Sequence, residues 1–187
     1  MCGAPLNEKN PYKERAFMKN IILIGMPGCG KSTSGVLLAK KLGLDFIDTD
    51  LIIQLKQKNT LQNLIDKDGL DKFREYENDA LLAVTAESGA VIATGGSAIF
   101  CEEGMKYLKQ HGVCVYLGLS LDTLSRRLTN LKTRGIACRS GETLEDIFNE
   151  REPFYNRYAD ITINCAQKSS EETVEQIIVE LKQHNFA

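Results

Sequence analysis

Between Gly25 and Ser32 the chain reads Gly-Met-Pro-Gly-Cys-Gly-Lys-Ser, the spacing G-x-x-x-x-G-K-[ST] with no mismatch. Glycines let the backbone curl until several N–H groups face one anion. A helix beginning at Lys31 sets its positive end behind them. Lys31 supplies a point charge for the β- and γ-phosphates of a nucleotide, and Ser32 a hydroxyl for Mg²⁺. Gly28, Cys29, Gly30, Lys31, Ser32 and Thr33 are therefore the candidate nucleotide-binding residues. A glycine turn carrying an incidental lysine is the bland alternative, and it would rarely fall between a strand and a helix.

The flanking elements are of that kind. Ile21 to Ile24 is an apolar run suited to a buried strand, and Lys31 to Leu42 has helical character. Leu44 to Ile47 reads as a second strand, ending in Asp48-Thr49-Asp50. Thr49 or Asp50 can cap the next helix, which carries Leu51, Ile52, Ile53 and Leu55. Thr60 to Asp68 predicts a further helix stopped by Gly69, and Asp71 to Glu87 a longer one with Phe73, Tyr76, Ala80, Leu81 and Val84 on one face. Strands are expected at Ala90 to Ala93, Val113 to Leu117 and Ile161 to Ile163. Helices are expected at Glu103 to His111, Leu121 to Leu128, Leu144 to Tyr158 and Glu171 to His184. Strands that alternate with helices, and are themselves continuous apolar runs, imply a parallel sheet covered on both faces. Ligands bind beyond the carboxyl ends of such strands, where the glycine loop, Asp48-Thr49-Asp50 and Thr94-Gly95-Gly96 all lie. Residues 129–143 are polar, hold Gly135 and Gly141, and lack an apolar period. A loop of that length inside a compact domain reads as a functional lid or as a disordered segment.

The chain has 187 residues, enough for one well-buried core. A net charge of -2 and a pI near 5.8 give no electrostatic reason to expect nucleic acid or a membrane surface as partner. No apolar stretch approaches a membrane span. Residues 1–17 lack the apolar centre of a secretory signal and read as a mobile extension of a single domain, 18–187, or as the product of an upstream start codon. None of the six cysteines forms a C-x-x-C pair, the pattern of a reduced cytoplasmic protein rather than a disulfide scaffold or zinc site. His111 and His184 stand alone near helix ends, where surface or capping roles are expected.

The missing motifs narrow the reaction. There is no N-K-x-D segment for guanine recognition and no L-S-G-G-Q. Asp66-Lys67-Asp68-Gly69 matches D-x-x-G but follows a helix. A small kinase remains. The chain resembles the shikimate kinases, members of the nucleoside-monophosphate-kinase-like group. The matching segments occur in family order: Gly25 to Thr33, Leu42-Gly43 with Phe46 to Asp50, Phe73-Arg74 with Glu77, Thr94-Gly95-Gly96, Arg127 with Arg134, and Arg151 with Pro153 and Tyr155. The resemblance implies a three-layer α/β/α fold with a five-stranded parallel sheet in the order 2-3-1-4-5, and a lid over ATP. It also implies a helical substrate region after the second strand, and transfer of the ATP γ-phosphate to the 3-hydroxyl of shikimate. A monomer acting on these two small molecules with Mg²⁺ is expected.

Residue by residue, the resemblance assigns Asp50 to the reacting hydroxyl, with Lys31 and Arg134 completing the catalytic set. Ser32 is expected to bind Mg²⁺ directly and Asp48 through water. Arg74 and Arg151 clamp the substrate carboxylate, Glu77 holds Arg74, and Gly95 and Gly96 bring their backbone close to the ring. Arg127 lies along adenine, Arg134 reaches the transferring phosphate, and Lys168 stands near the nucleotide. Read without the family, Asp50 is a helix cap, Arg74 and Arg151 are surface ion-pair residues beside Asp71, Glu77, Glu150 and Glu152, and Gly95-Gly96 is a turn. Arg126 pairs with Asp122 one turn back. The chain departs from the family at Ser97, where a third glycine is usual, and at Gly135, where proline follows the lid arginine. Ile136-Ala137 replaces the usual leucines. Glycine at 135 implies a looser lid, and Arg139 becomes an extra candidate for phosphate contact. Alternatives are a related kinase for another hydroxylated acid or a nucleotide, and a non-catalytic nucleotide-binding regulator.

Overall fold

Every residue of Asn20–Ile24 (β1) and of Ala90–Ala93 (β3) is buried, as happens only in strands covered on both faces. In this computed structural model, which describes residues 19–85, 89–128, 135–139, 141–184 and 186, the two strands pair in parallel. Asp45–Asp48 (β2), Gly112–Gly118 (β4) and Ile161–Asn164 (β5) complete a five-stranded, all-parallel sheet in the order β2-β3-β1-β4-β5. The order is the one the resemblance implies, and β1 at its centre delivers the glycine loop.

The helices are Lys31–Leu42 (α1), Thr49–Gln57 (α2), Leu61–Leu82 (α3), Glu102–His111 (α4), Leu121–Arg127 (α5), Leu144–Tyr158 (α6) and Ser170–Gln183 (α7), with a 3₁₀ turn at Ala98–Phe100. α1 packs with α7, and α3 with α4. One large apolar cluster runs through the sheet. A smaller one, built from Ile53, Leu64, Phe73 and Ala80, holds α2 and α3 together, with Ala137 seated on it.

Two expectations about these elements are corrected. The cap of α2 is Asp48, whose side chain accepts a hydrogen bond from the Asp50 amide; neither Thr49 nor Asp50 caps it. Thr49 is turned inward and its hydroxyl receives the Gly95 N–H at 3.2 Å. Gly69 breaks the helix as expected: its non-helical backbone (φ 80°, ψ 171°) kinks α3 into two helical pieces. α3 then ends at Leu82 instead of reaching Glu87, and residues 86–88 lie outside the described residues. The expected N-terminal extension 1–17 also lies outside them, as do residues 129–134 and 140 of the expected lid. Among the described residues no helix is long and apolar enough to cross a membrane. The described cysteines Cys29, Cys101, Cys114, Cys138 and Cys165 are all free thiols.

Candidate active site

The carboxyl ends of β1, β2 and β3 open into a cavity of about 490 Å³. Gly28, Gly30, Lys31, Ser32, Thr33, Asp50, Gly95, Gly96 and Arg151 line it, so nine of the expected residues are brought together. On the phosphate side, α1 starts with neither a side-chain cap nor an acidic residue in its first turn. Its amide groups and helix dipole are thus free of internal competitors for an anion. Lys31 is buried over the loop, its Nζ donating to the Gly25 carbonyl at 2.7 Å and the Met26 carbonyl at 3.1 Å. Cys29 turns its side chain into the core, which leaves only its backbone for a phosphate.

Ser32 Oγ donates to Asp48 Oδ2 at 2.7 Å, so β2 closes against the start of α1. Two hard oxygen donors in contact fit a Mg²⁺ that keeps most of its waters. Among the described residues no cluster of three or more His, Cys, Asp or Glu offers a more complete metal cage. Asp50 lies two residues on. Burial, reinforced by the Asp48 charge and opposed by Lys31, pushes its carboxyl up to about 6. Gly95 explains why this loop has no side chain. A Cβ there would stand 2.7 Å from Glu77 Oε1 and 2.8 Å from Asp50 Oδ1. A Cβ on Gly96 would stand 3.2 Å from Arg151 Nη1.

Arg151 is not the surface ion-pair residue that its neighbours suggest. It is 2% exposed, Glu150 faces Arg139 instead, and its Nη2 donates to the Ala137 carbonyl. Its Nε and Nη1 have no hydrogen-bond partner. A buried guanidinium with one open edge is costly unless an anion completes it. Arg74 is more exposed, lies 3.9 Å from Asp71, and lines an adjoining crevice with Ser97, Phe100 and Arg151 rather than the main cavity. Phe100 ties the two arginines together, with guanidinium carbons 5.2 Å (Arg74) and 5.9 Å (Arg151) from its ring centre.

Glu77 does not hold Arg74 as expected. Its Oε1 accepts from Ser97 Oγ at 2.7 Å, and its Oε2 has no partner. Burial pushes its carboxyl up to about 7 against the Ser97 hydrogen bond, with Asp50 adding and Arg151 and Arg74 opposing. The described arm 135–139, within the segment expected to be a loose lid, is packed at Gly135 to Ala137. Gly135 has φ 62°, which proline cannot adopt, and a Cβ there would stand 2.7 Å from Leu61 Cβ. Ile136 is buried in the main core.

Other expected residues are not brought to the cavity. Arg127 is exposed at the end of α5, beside the Arg126–Asp122 pair, and Lys168 hydrogen-bonds Gln176 on α7. Arg139 pairs with Glu142 at 2.9 Å and Glu150 at 3.7 Å, so its extra phosphate contact is not what this conformation presents. Arg134 lies outside the described residues. His111 and His184 bind within their own helices, to the Tyr107 carbonyl and to Glu180. Sequence reasoning missed Phe73, Ser97, Phe100, Ile136 and Ala137 as walls, and Tyr155, whose hydroxyl donates to the Gly96 carbonyl at 2.6 Å. The available signals were Ser97 and Ile136-Ala137 departing from the resembled family, and Phe73 and Tyr155 lying in the segments that match it.

Comparison with known proteins agrees with this geometry. The family model described as shikimate kinase matches residues 27–182. A shikimate kinase from Sulfurihydrogenibium sp. (strain YO3AOP1) is 36% identical over 165 residues, covering 88% of this chain and 99% of the relative. Among solved structures, a shikimate kinase from Acinetobacter baumannii in complex with shikimate has a TM-score of 0.85 at 30% identity, covering 95% of this chain and all of that one. A shikimate kinase from Aquifex aeolicus has a TM-score of 0.77 at 30% identity, covering 89% of this chain and 98% of that one.

Proposed function

This chain belongs to the shikimate kinase family, and we propose how its own residues carry the family's ATP-dependent phosphorylation of shikimate. Lys31 and the amides of Gly28 to Thr33 hold the ATP phosphates. Ser32 and Asp48 would hold a Mg²⁺, which when bound offsets charge on the β- and γ-oxygens. Asp50 orients the 3-hydroxyl of shikimate and takes its proton as the new O–P bond forms and the bond to the β-phosphate oxygen breaks. Arg151 and Arg74 receive the carboxylate, and the Gly95-Gly96 backbone lies against the ring. Arg134 steadies the transferring phosphoryl group; Arg127 and Lys168 serve the nucleotide when residues 129–143 close as a lid over one domain, 18–187. We place the work in the cytoplasm, as a monomer acting on small molecules. A net charge of -2 supports a small-molecule site over a nucleic-acid or membrane surface.

The observation that carries this reading is the open edge of buried Arg151, a ready receptor for a planar carboxylate in a cavity walled by a phosphate loop. ADP release, measured with Mg²⁺ and ATP across shikimate, quinate, gluconate and nucleoside monophosphates, tests it. Turnover with shikimate well above every other acceptor is expected. Background rates with shikimate would overturn the reading.

A further inference from the structure

An unpartnered carboxylate oxygen and an unpartnered guanidinium edge share one buried wall here, and they do not join. Glu77 Oε2 and Arg151 Nε and Nη1 all lack hydrogen bonds. The two side chains face neighbouring residues of one loop, Glu77 Oε1 beside Gly95 and Arg151 Nη1 beside Gly96. Opposite charges in a site of low dielectric attract strongly, and a two-point Arg–carboxylate pair would satisfy both. Such a pair would also occupy the edge of Arg151 that the acid needs.

The Ser97 hydroxyl accounts for the separation. It donates to Glu77 Oε1 at 2.7 Å, the only hydrogen bond the Glu77 side chain makes among the described residues. Ser97 is itself 5% exposed and opens the 3₁₀ turn whose Ala98 and Ile99 are buried, so its hydroxyl is held in place. A glycine at 97 would leave Glu77 with no neutral donor.

We propose that Ser97 is a positioning residue for the acceptor: it ties Glu77 down so that Arg151 stays open to the substrate carboxylate. It thereby sets acid affinity without touching ATP. This rests on the arginine receptor proposed above.

The test is steady-state kinetics of Ser97→Ala, Glu77→Gln, their double variant and Arg151→Lys. Alanine suits the ordinary backbone at Ser97 (φ -100°, ψ -3°). Ser97→Ala should raise KM for shikimate about ten- to a hundredfold, the scale of one lost charge-assisted hydrogen bond, with KM for ATP and Tm unchanged. Adding Glu77→Gln should bring that KM back toward wild type, because an amide has no charge with which to compete for Arg151. An unchanged KM for shikimate, an equal rise in both KM values, or no reversal in the double variant would overturn the role of Ser97. Arg151→Lys separates the two ideas. If it raises KM for shikimate while Ser97→Ala does not, only the Ser97 inference fails. If it leaves that KM unchanged, the arginine receptor fails.

Discussion

Glu77 and Asp50 are buried carboxylates whose protons are held more tightly in the folded chain than in the unfolded one. Burial raises Glu77 from 4.5 to about 7 and Asp50 from 3.8 to about 6. A raised carboxyl stabilises the fold below its unfolded value, and that contribution is lost as pH rises through the folded one. For Glu77 the window is therefore about pH 4.5 to 7. Thermal unfolding of the ligand-free protein should show wild-type Tm falling between pH 5 and 8, and Glu77→Gln falling less. At pH 8 the variant should be the more stable by several degrees. Parallel curves would show that Glu77 is not held in this environment. The site thus trades stability for an uncompensated charge, as functional sites do.

At the scale of elements, the arm 135–139 links the start of α3 to Arg151. Gly135 sits on Leu61 at the start of α3, Ala137 packs on the small core, and the Ala137 carbonyl accepts a hydrogen bond from Arg151 Nη2. Gly135→Pro forces φ near -65°, against the 62° observed, and strain of about 1–3 kcal/mol should lift this arm. Hydrogen exchange at Ile136 to Arg139 is expected to speed markedly while protection in β1 and β4 stays unchanged. Unchanged exchange in the arm would mean that glycine is not required there. Arg151 thus gives one side of its guanidinium to the arm and leaves Nε and Nη1 open, the edge proposed for the acid.

For the whole molecule, the parallel sheet was legible because its inner strands are unbroken apolar runs. The glycine loop was legible because its spacing is nearly unique to phosphate binding. The rule that ligands meet the carboxyl ends of strands then placed Asp48, Asp50 and Gly95-Gly96 together, and Ser32 does touch Asp48. What escaped depends on tertiary packing. The glutamates beside Arg151 read as surface partners, yet α6 turns that arginine inward. Glu77 meets Ser97 across 20 residues of chain, a pairing no helical spacing records, so Arg74 is left without the support expected of it. Gly69, by contrast, was legible as a helix break, and its non-helical backbone kinks α3 there.

The kinase reading makes the acid's charge the feature that this cavity recognises. Its most direct test is kcat/KM for shikimate against shikimate carboxamide, which keeps the ring and hydroxyls but carries no anion. Losing the negative charge and one of the two acceptor oxygens that a guanidinium pairs with should cost the amide about a hundredfold. Comparable kcat/KM values for acid and amide would contradict it.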